Sequence, residues 1–225
     1  MPRQRDIQYL RQLRRLRRVS EMRFRAAAAR VLGDVARRLG GRTDDELGVQ
    51  LELAFDGLPA AMARAWTPLY VQAAEGVHTS LRQAYGWRAQ PLSSEVVERA
   101  GERIVSISGG TRRRTRSALR RALRQDLDTR ETEKVLRRII ASRARVALIA
   151  RTEIAIATNQ AAAQMFAAEG ENKVETLDGP ECGWDGHDDP QRASGRIVTL
   201  AEAERTPISH PRCVRAYVPT ARGLS

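Results

Sequence analysis

Apolar positions recur every three residues near the start of the chain, at Leu10, Leu13, Leu16 and Val19, with arginines in most of the gaps. This pattern predicts one long helix over about residues 7–38. Gly40-Gly41 stops it, Asp44-Asp45 starts a shorter helix through Phe55, and Pro59 opens a third that Pro68 kinks or divides. Leu51, Leu53, Phe55, Leu58, Met62, Trp66, Leu69 and Tyr70 supply much of the aromatic content and read as core. Ser93-Ser94 before Glu95 starts another helix, to about residue 106. Gly109-Gly110 reads as a hinge. Beyond it Thr111 caps a helix to about residue 125, and Thr129 with Glu133 starts the next, to about 140. Ser142 begins a last long helix over about 143–168, ended by Gly170.

From Lys173 the periodicity changes. Residues 173–177 alternate like a short strand, a loop rich in Gly, Asp and Pro runs through Pro190, and residues 196–198 form a second strand. Thr199 caps a short helix over 200–204, and residues 213–218 form a third strand. The expected fold is mainly α: an elongated helical N-terminal body followed by a small α+β, metal-stapled C-terminal module. The expected divisions are a helical N-terminal region at 1–108, a helical segment at 109–172, and a loop-rich α+β module at 173–225. No sequence repeat or low-complexity linker is visible.

Length and composition narrow this picture. At 225 residues the chain can hold one long domain or two modest ones. An aromatic content of only 4% beside 42% apolar residues favours helices packed through small side chains over a β-sandwich. No stretch approaches the run of about 20 apolar residues that spans a bilayer, and the Arg-rich N-terminus lacks the apolar core of a signal peptide. The expected setting is a cytoplasm or a particle assembled there.

The net charge of +12 makes polyanions the first partner class to consider. That charge is unevenly placed. Residues 1–30 carry ten arginines against Asp6 and Glu21, a net of +8, and residues 111–145 carry a net of +9, whereas residues 173–225 are near −1. Solvated helix faces paired with nearby acids explain such arginines in the middle of the chain, but two acids cannot balance ten arginines. Contact with phosphates is the sharper reading, salt-dependent and indifferent to sequence. Its candidate residues are Arg3, Arg5, Arg11, Arg14, Arg15, Arg17 and Arg18, with Arg112, Arg113 and Arg114 in the second segment. An acidic protein partner is the third reading. No base-reading motif is visible.

Four of the five cysteines and histidines fall between 182 and 213, as Cys182-x4-His187 and His210-x2-Cys213. Two close pairs separated by a loop is the layout of a tetrahedral zinc site, and a module with little apolar burial needs such a staple. A Cys182–Cys213 disulfide, or cysteines that are merely small and buried, are the alternatives. A filled four-ligand site is structural. His78, the histidine left out, is read as a surface or interface residue. Asp178, Asp185, Asp188 and Asp189 crowd the same loop, so a metal-dependent nuclease or other DNA-processing enzyme is the alternative function, although acids in such loops are ordinary turn formers.

The order of residues then becomes informative. Arg151-Thr152-Glu153 in a helix is followed by an Ala-rich stretch with Asn159 and by Glu169-Gly170. Next come Leu177-Asp178-Gly179, Cys182-Gly183-Trp184, His187-Asp188-Asp189-Pro190, Gly195 and His210-Pro211-Arg212-Cys213-Val214-Arg215. Over about residues 142–219 this resembles the C-terminal domain of phage Mu F-like minor head proteins, or head morphogenesis proteins. Many members carry a Cys-x-x-Cys pair and a His-Pro-x-Cys-x-Cys ending; here His187 departs from the first, and Ala216 or its neighbours from the second. The resemblance implies a minor capsid protein of the virion with no enzymatic activity, present in multiple copies per particle inside the capsid and in the host cytoplasm during assembly. Its implied partners are the portal protein, the major capsid protein and double-stranded DNA through backbone contacts, in head assembly, DNA packaging or DNA ejection. Arg151, Glu153 and Asp178 are the structural family motif, with Arg151 expected to tie the last long helix to the loop through Asp178.

Overall fold

The computed structural model describes residues 4–39, 47–125, 127–178, 195–211 and 213–220. In chain order the elements are α1 (Gln4–Leu39), α2 (Leu47–Asp56), α3 (Leu58–Tyr85), α4 (Ser94–Arg124), α5 (Thr129–Ala141), α6 (Arg143–Ala168), β1 (Lys173–Leu177), β2 (Ile197–Thr199), α7 (Leu200–Arg205) and β3 (Ala216–Pro219). The protein is therefore mainly helical, with one small sheet of order β2-β1-β3. Both pairings are antiparallel, with Val174 opposite Val198 on one side and Pro219 on the other. No described helix is long and apolar enough to cross a membrane.

The chain groups into two units, each built from separated segments: the first from Met1–Glu21, Tyr70–Val96 and Arg151–Ser225, the second from Met22–Leu69 and Val97–Ala150. In the first, Tyr9 and Leu13 of α1, Val77 and Leu81 of α3, and Ala161, Met165 and Phe166 of α6 form one buried cluster. Val174, Val198, Ala216, Tyr217 and Val218 of the sheet belong to the same cluster. The strands thus bury their apolar face against helices instead of forming a small module of their own, which removes the shortage of burial that argued for a staple. Tyr9, Tyr85, Trp87 and Phe166 make a chain of ring contacts with centroids 6.2, 4.9 and 5.8 Å apart. Residues 153–159 of α6 are buried at seven consecutive positions, Glu153, Thr158 and Asn159 among them, as expected of a helix covered on every side. Gly76 lets α3 approach α1, because a Cβ there would meet the Leu16 side chain at 2.6 Å.

In the second unit Phe24 and Trp66 pack with ring centroids 4.8 Å apart. Met62, Leu58, Leu119, Leu136 and Ile140 are also buried there. Of the stretch expected as core, Leu51, Phe55, Leu58, Met62, Trp66 and Tyr70 are buried and Leu69 is half-buried, whereas Leu53 is 58% exposed and lies outside the core.

Local signals were read well at several ends and poorly inside two helices. Gly170 adopts φ 79° and closes α6 through Glu171 N–H to Phe166 O (2.9 Å) and Gly170 N–H to Ala167 O (3.0 Å), the Schellman arrangement. Thr199 caps α7 as expected, accepting from Glu202 N–H. The cap of α5, in contrast, is the Asp128–Glu131 capping box rather than Thr129 with Glu133. Gly109 and Gly110 do not break α4, although glycine costs about 1 kcal/mol each against alanine in a helix. Thr111, expected as a cap, lies mid-helix, its hydroxyl donating to Ile107 O (2.7 Å) while Thr115 does the same to Thr111 O (2.9 Å). Those back-bonds satisfy buried hydroxyls without an end. Pro68 lies inside α3 without dividing it, because buried Met62 and Trp66 precede it and Tyr70, Ala73 and Ala74 follow.

His78 is buried rather than at the surface, with Nδ1 3.3 Å from Gln90 O and Nε2 3.2 Å from Ala161 O. Burial pushes its pKa below the ordinary histidine value, against the pull of those carbonyls. The unfolded chain then takes up the proton first, so stability is full above about pH 6.5 and falls as pH drops below it. Urea denaturation of the wild type should show a loss of up to about 1.4 kcal/mol per pH unit in that window. In His78→Gln this component should vanish; an unchanged slope would place its origin elsewhere.

Candidate nucleic-acid interface and metal-ligand turn

A strict three-residue repeat slips about 60° per step around an α-helix of 3.6 residues per turn. The predicted apolar row of α1 therefore cannot stay on one side. Leu13 is buried, Leu10 and Leu16 are half-buried, and Val19, half a turn away from Leu10, is exposed. The inner face runs instead through Asp6, Tyr9, Leu13, Arg17 and Ser20. It places two charged residues inside. Asp6 accepts from the Tyr85 hydroxyl at 2.7 Å.

This face decides which arginines can meet a phosphate. Arg5, Arg11, Arg14, Arg15 and Arg18 are exposed, with Arg11, Arg14, Arg15 and Arg18 at the three- and four-residue spacings that share a helix side. Arg17 points the other way. Its Nε donates to Thr158 Oγ1 (2.9 Å), Nη2 to Asn159 Oδ1 (2.7 Å), and Nη1 to the carbonyls of Arg215 (2.9 Å) and Val214 (3.3 Å). A guanidinium stays charged in proteins, so burial lowers the Arg17 pKa while Tyr9, Cys213 and Glu21 nearby oppose that. Its donors are spent on the interior. In the second segment Arg113 and Arg114 are exposed, whereas Arg112 pairs with Glu52, as does Arg116. Arg3 lies outside the described residues.

The residues around the expected metal loop form a second constellation in the same unit as Arg17. Asn159 donates to Pro207 O (2.6 Å) and Arg215 O (3.0 Å). Arg215 grips Asp178 with two bonds, Nε to Oδ1 at 2.8 Å and Nη2 to Oδ2 at 2.9 Å, and both side chains are buried. The carboxylate holds the Arg215 guanidinium protonated, outweighing the cost of burial. Asp178 is thus tied by Arg215, not by Arg151, which lies 3.7 Å from Glu21. Glu153 is buried and accepts from the Tyr70 hydroxyl at 2.8 Å. Asp178 and Glu153 are held by hydrogen bonds, whereas Arg151 makes only a longer, half-exposed ion pair. Arg215 had no place in the expected site, although its position two residues past Cys213 was within the motif; its partner could be found only in three dimensions.

Of the four expected metal ligands, Cys182 and His187 lie outside the described residues. His210 and Cys213 are joined by Cys213 N–H to His210 O at 3.0 Å, an i-to-i+3 bond that closes a turn with Pro211 in second place. The two side chains therefore leave opposite ends of one tight turn. His210 Nδ1 lies 2.7 Å from Pro211 O. A carbonyl only accepts, so Nδ1 carries the proton and a neutral ring has its lone pair on Nε2, the form in which imidazole binds metal. Cys213 is buried. Among the described residues no three His, Cys, Asp or Glu side chains are grouped to hold a metal ion.

Compared with known proteins, the chain matches no family model, no curated protein and no solved structure.

The inward and outward arginines of α1 should separate cleanly on substitution. Arg17→Met leaves Asn159 Oδ1 and the Val214 carbonyl without the donor they have in Arg17 and is expected to cost about 3 kcal/mol of stability in chemical denaturation. Arg14→Gln, one turn away and exposed, should stay within about 0.5 kcal/mol. Equal costs for the two would contradict the buried node.

Proposed function

We propose that this chain is a minor head protein of a tailed phage, bound at the portal or inner capsid and touching packaged DNA through its phosphates. The observation that carries this reading is the exposed row of arginines on α1, Arg11, Arg14, Arg15 and Arg18, with Arg5 exposed on another side of the helix. The resemblance of residues 142–219 to head morphogenesis proteins supplies the setting. The role is structural, and no reaction is assigned to it. A helix surface of guanidiniums with no base-reading element suits a polyanion met in any sequence.

Zinc belongs to the same proposal, as a structural ion held by Cys182, His187, His210 and Cys213. Two thiolates and two imidazoles fill a tetrahedral shell and leave no open position for chemistry. Because β1, β2 and β3 share the core of α1, α3 and α6, metal removal is expected to leave the sheet paired. Elemental analysis of protein purified without chelator should give about one zinc per chain, lost in Cys213→Ala and His210→Ala. Zinc absent from the wild type would remove the ion from the proposal.

Quantification by mass spectrometry in purified particles, beside portal and major capsid proteins, tests the role itself. A few copies per particle are expected, and complete absence would overturn it. The DNA contact has its own measurement. Binding to duplex DNA should weaken steeply with salt, and replacing Arg11, Arg14, Arg15 and Arg18 together by Gln should make the log–log salt slope shallower by about 3 to 4. An unchanged slope would exclude α1 as the contact.

A further inference from the structure

The second unit holds a basic pocket that the reading above does not use. An open cavity of about 400 Å³ is lined by Arg114, Ser117 and Arg121 of α4, Arg138 and Ile139 of α5, then Ser142 and Arg145 at the start of α6. Among the described residues four guanidiniums and no carboxylate line it. Arg114, Ser117 and Arg121 share a side of α4 through their three- and four-residue spacings. By contrast Arg112 and Arg116, on another side of the helix, are both answered by Glu52.

Arg145 is the fixed member of the set. Its Nη2 donates to Thr111 Oγ1 at 2.6 Å, and its Nε is buried without a hydrogen-bond partner. Burial lowers its pKa, and the nearby Arg114 lowers it further. Arg145 Nη1 reaches Ile139 O at 3.5 Å, and no carboxylate pairs with Arg145 among the described residues. Ser142, whose hydroxyl accepts from Arg145 N–H at 3.3 Å, marks the N-terminus of a 26-residue helix with no acid in its first turn. The partial positive charge of that end adds to the four guanidiniums.

We propose that this pocket binds a phosphate group. Arginine forks match the oxygens of a phosphate in pairs, the two serines add hydroxyl donors, and the volume leaves room for more than one phosphate in succession. The group comes either from a nucleic-acid backbone or from a free polyphosphate compound. The pocket does not rest on the capsid reading, since every residue in it lies between 114 and 145, away from the α1 arginines in sequence.

The test uses the full chain, with tripolyphosphate and a short DNA duplex as probes at matched ionic strength. Arg121→Gln with Arg138→Gln changes two exposed residues, and Arg120→Gln, exposed on another side of α4, serves as a control; circular dichroism checks that each folds. Isothermal titration should show tripolyphosphate bound by the wild type and weakened at least about tenfold by the double variant, with the control within about twofold. A parallel loss of duplex affinity in the double variant, with the α1 arginines intact, identifies the source as a DNA backbone; loss confined to tripolyphosphate identifies a free phosphate compound. No binding of either probe at this pocket, equal losses in the control, or equal competition by a short oligoglutamate would overturn the proposal. Failure of the α1 variants to alter the salt slope would leave this result untouched.

Discussion

The first unit depends on a buried positive charge. Arg17 cannot give up its proton to ease burial, so the fold must supply acceptors for its donors. It draws them from Thr158 and Asn159 of α6 and from the carbonyls of Val214 and Arg215. Those partners lie about 140 and 200 residues further along the chain. Nothing local to α1 satisfies them. The approach to β3 must therefore be in place before the helix is at rest, and the same carbonyl of Arg215 also accepts from Asn159. One guanidinium fixes two elements at once.

From this follows the standing of the C-terminal strands. A three-stranded sheet of five, three and four residues has little area to bury on its own, and a staple was the natural remedy. Here the remedy is a shared core, with Val174, Val198, Tyr217 and Val218 packed alongside Leu13, Leu81 and Phe166. Polar fasteners set around that core keep the register: Arg215 on Asp178 before residue 179, and Gly195 N–H on Thr176 O just before the start of β2 (2.8 Å). A zinc ion between 182 and 213 would then shape a loop rather than hold a domain together. That is a lighter task.

Much of the helical fold was legible because its signals are local. A glycine at positive φ after Ala168, a threonine before α7 and alternation through 173–177 each act within one turn or strand. The glycine pair at 109–110 and Pro68 misled for the opposite reason. Their local cost is real, but tertiary burial of Thr111, Thr115, Trp66 and Tyr70 outweighs it. The site was legible in composition and not in geometry. Ten arginines in thirty residues announce a basic surface, yet no count tells that Arg17 turns inward while Arg14 and Arg18 face out. Only the phase of the 3.6-residue period does, and the leucine row, with its period of three, gave the wrong phase. Arg215 and the pocket arginines were hidden in the same way, since their roles come from what faces them.

The arginines thus divide by what answers their charge. Arg17 is answered by carbonyls and an amide, Arg215 by Asp178, and Arg112 and Arg116 by Glu52, and these are structural. The exposed row of α1 and the pocket around Arg145 have no such answer within their described surroundings, and an excess of +12 must be met by ions or by a partner. Counterions meet it at low cost in dilute solution; a polyanion meets it more strongly because each contact frees a condensed ion. Exposed guanidiniums along one side of a helix can slide along a phosphate chain without preference. A pocket of four, with one held by Thr111, instead fixes where a single phosphate sits. The two kinds of basic surface therefore differ in what they can specify, the first an affinity and the second a position.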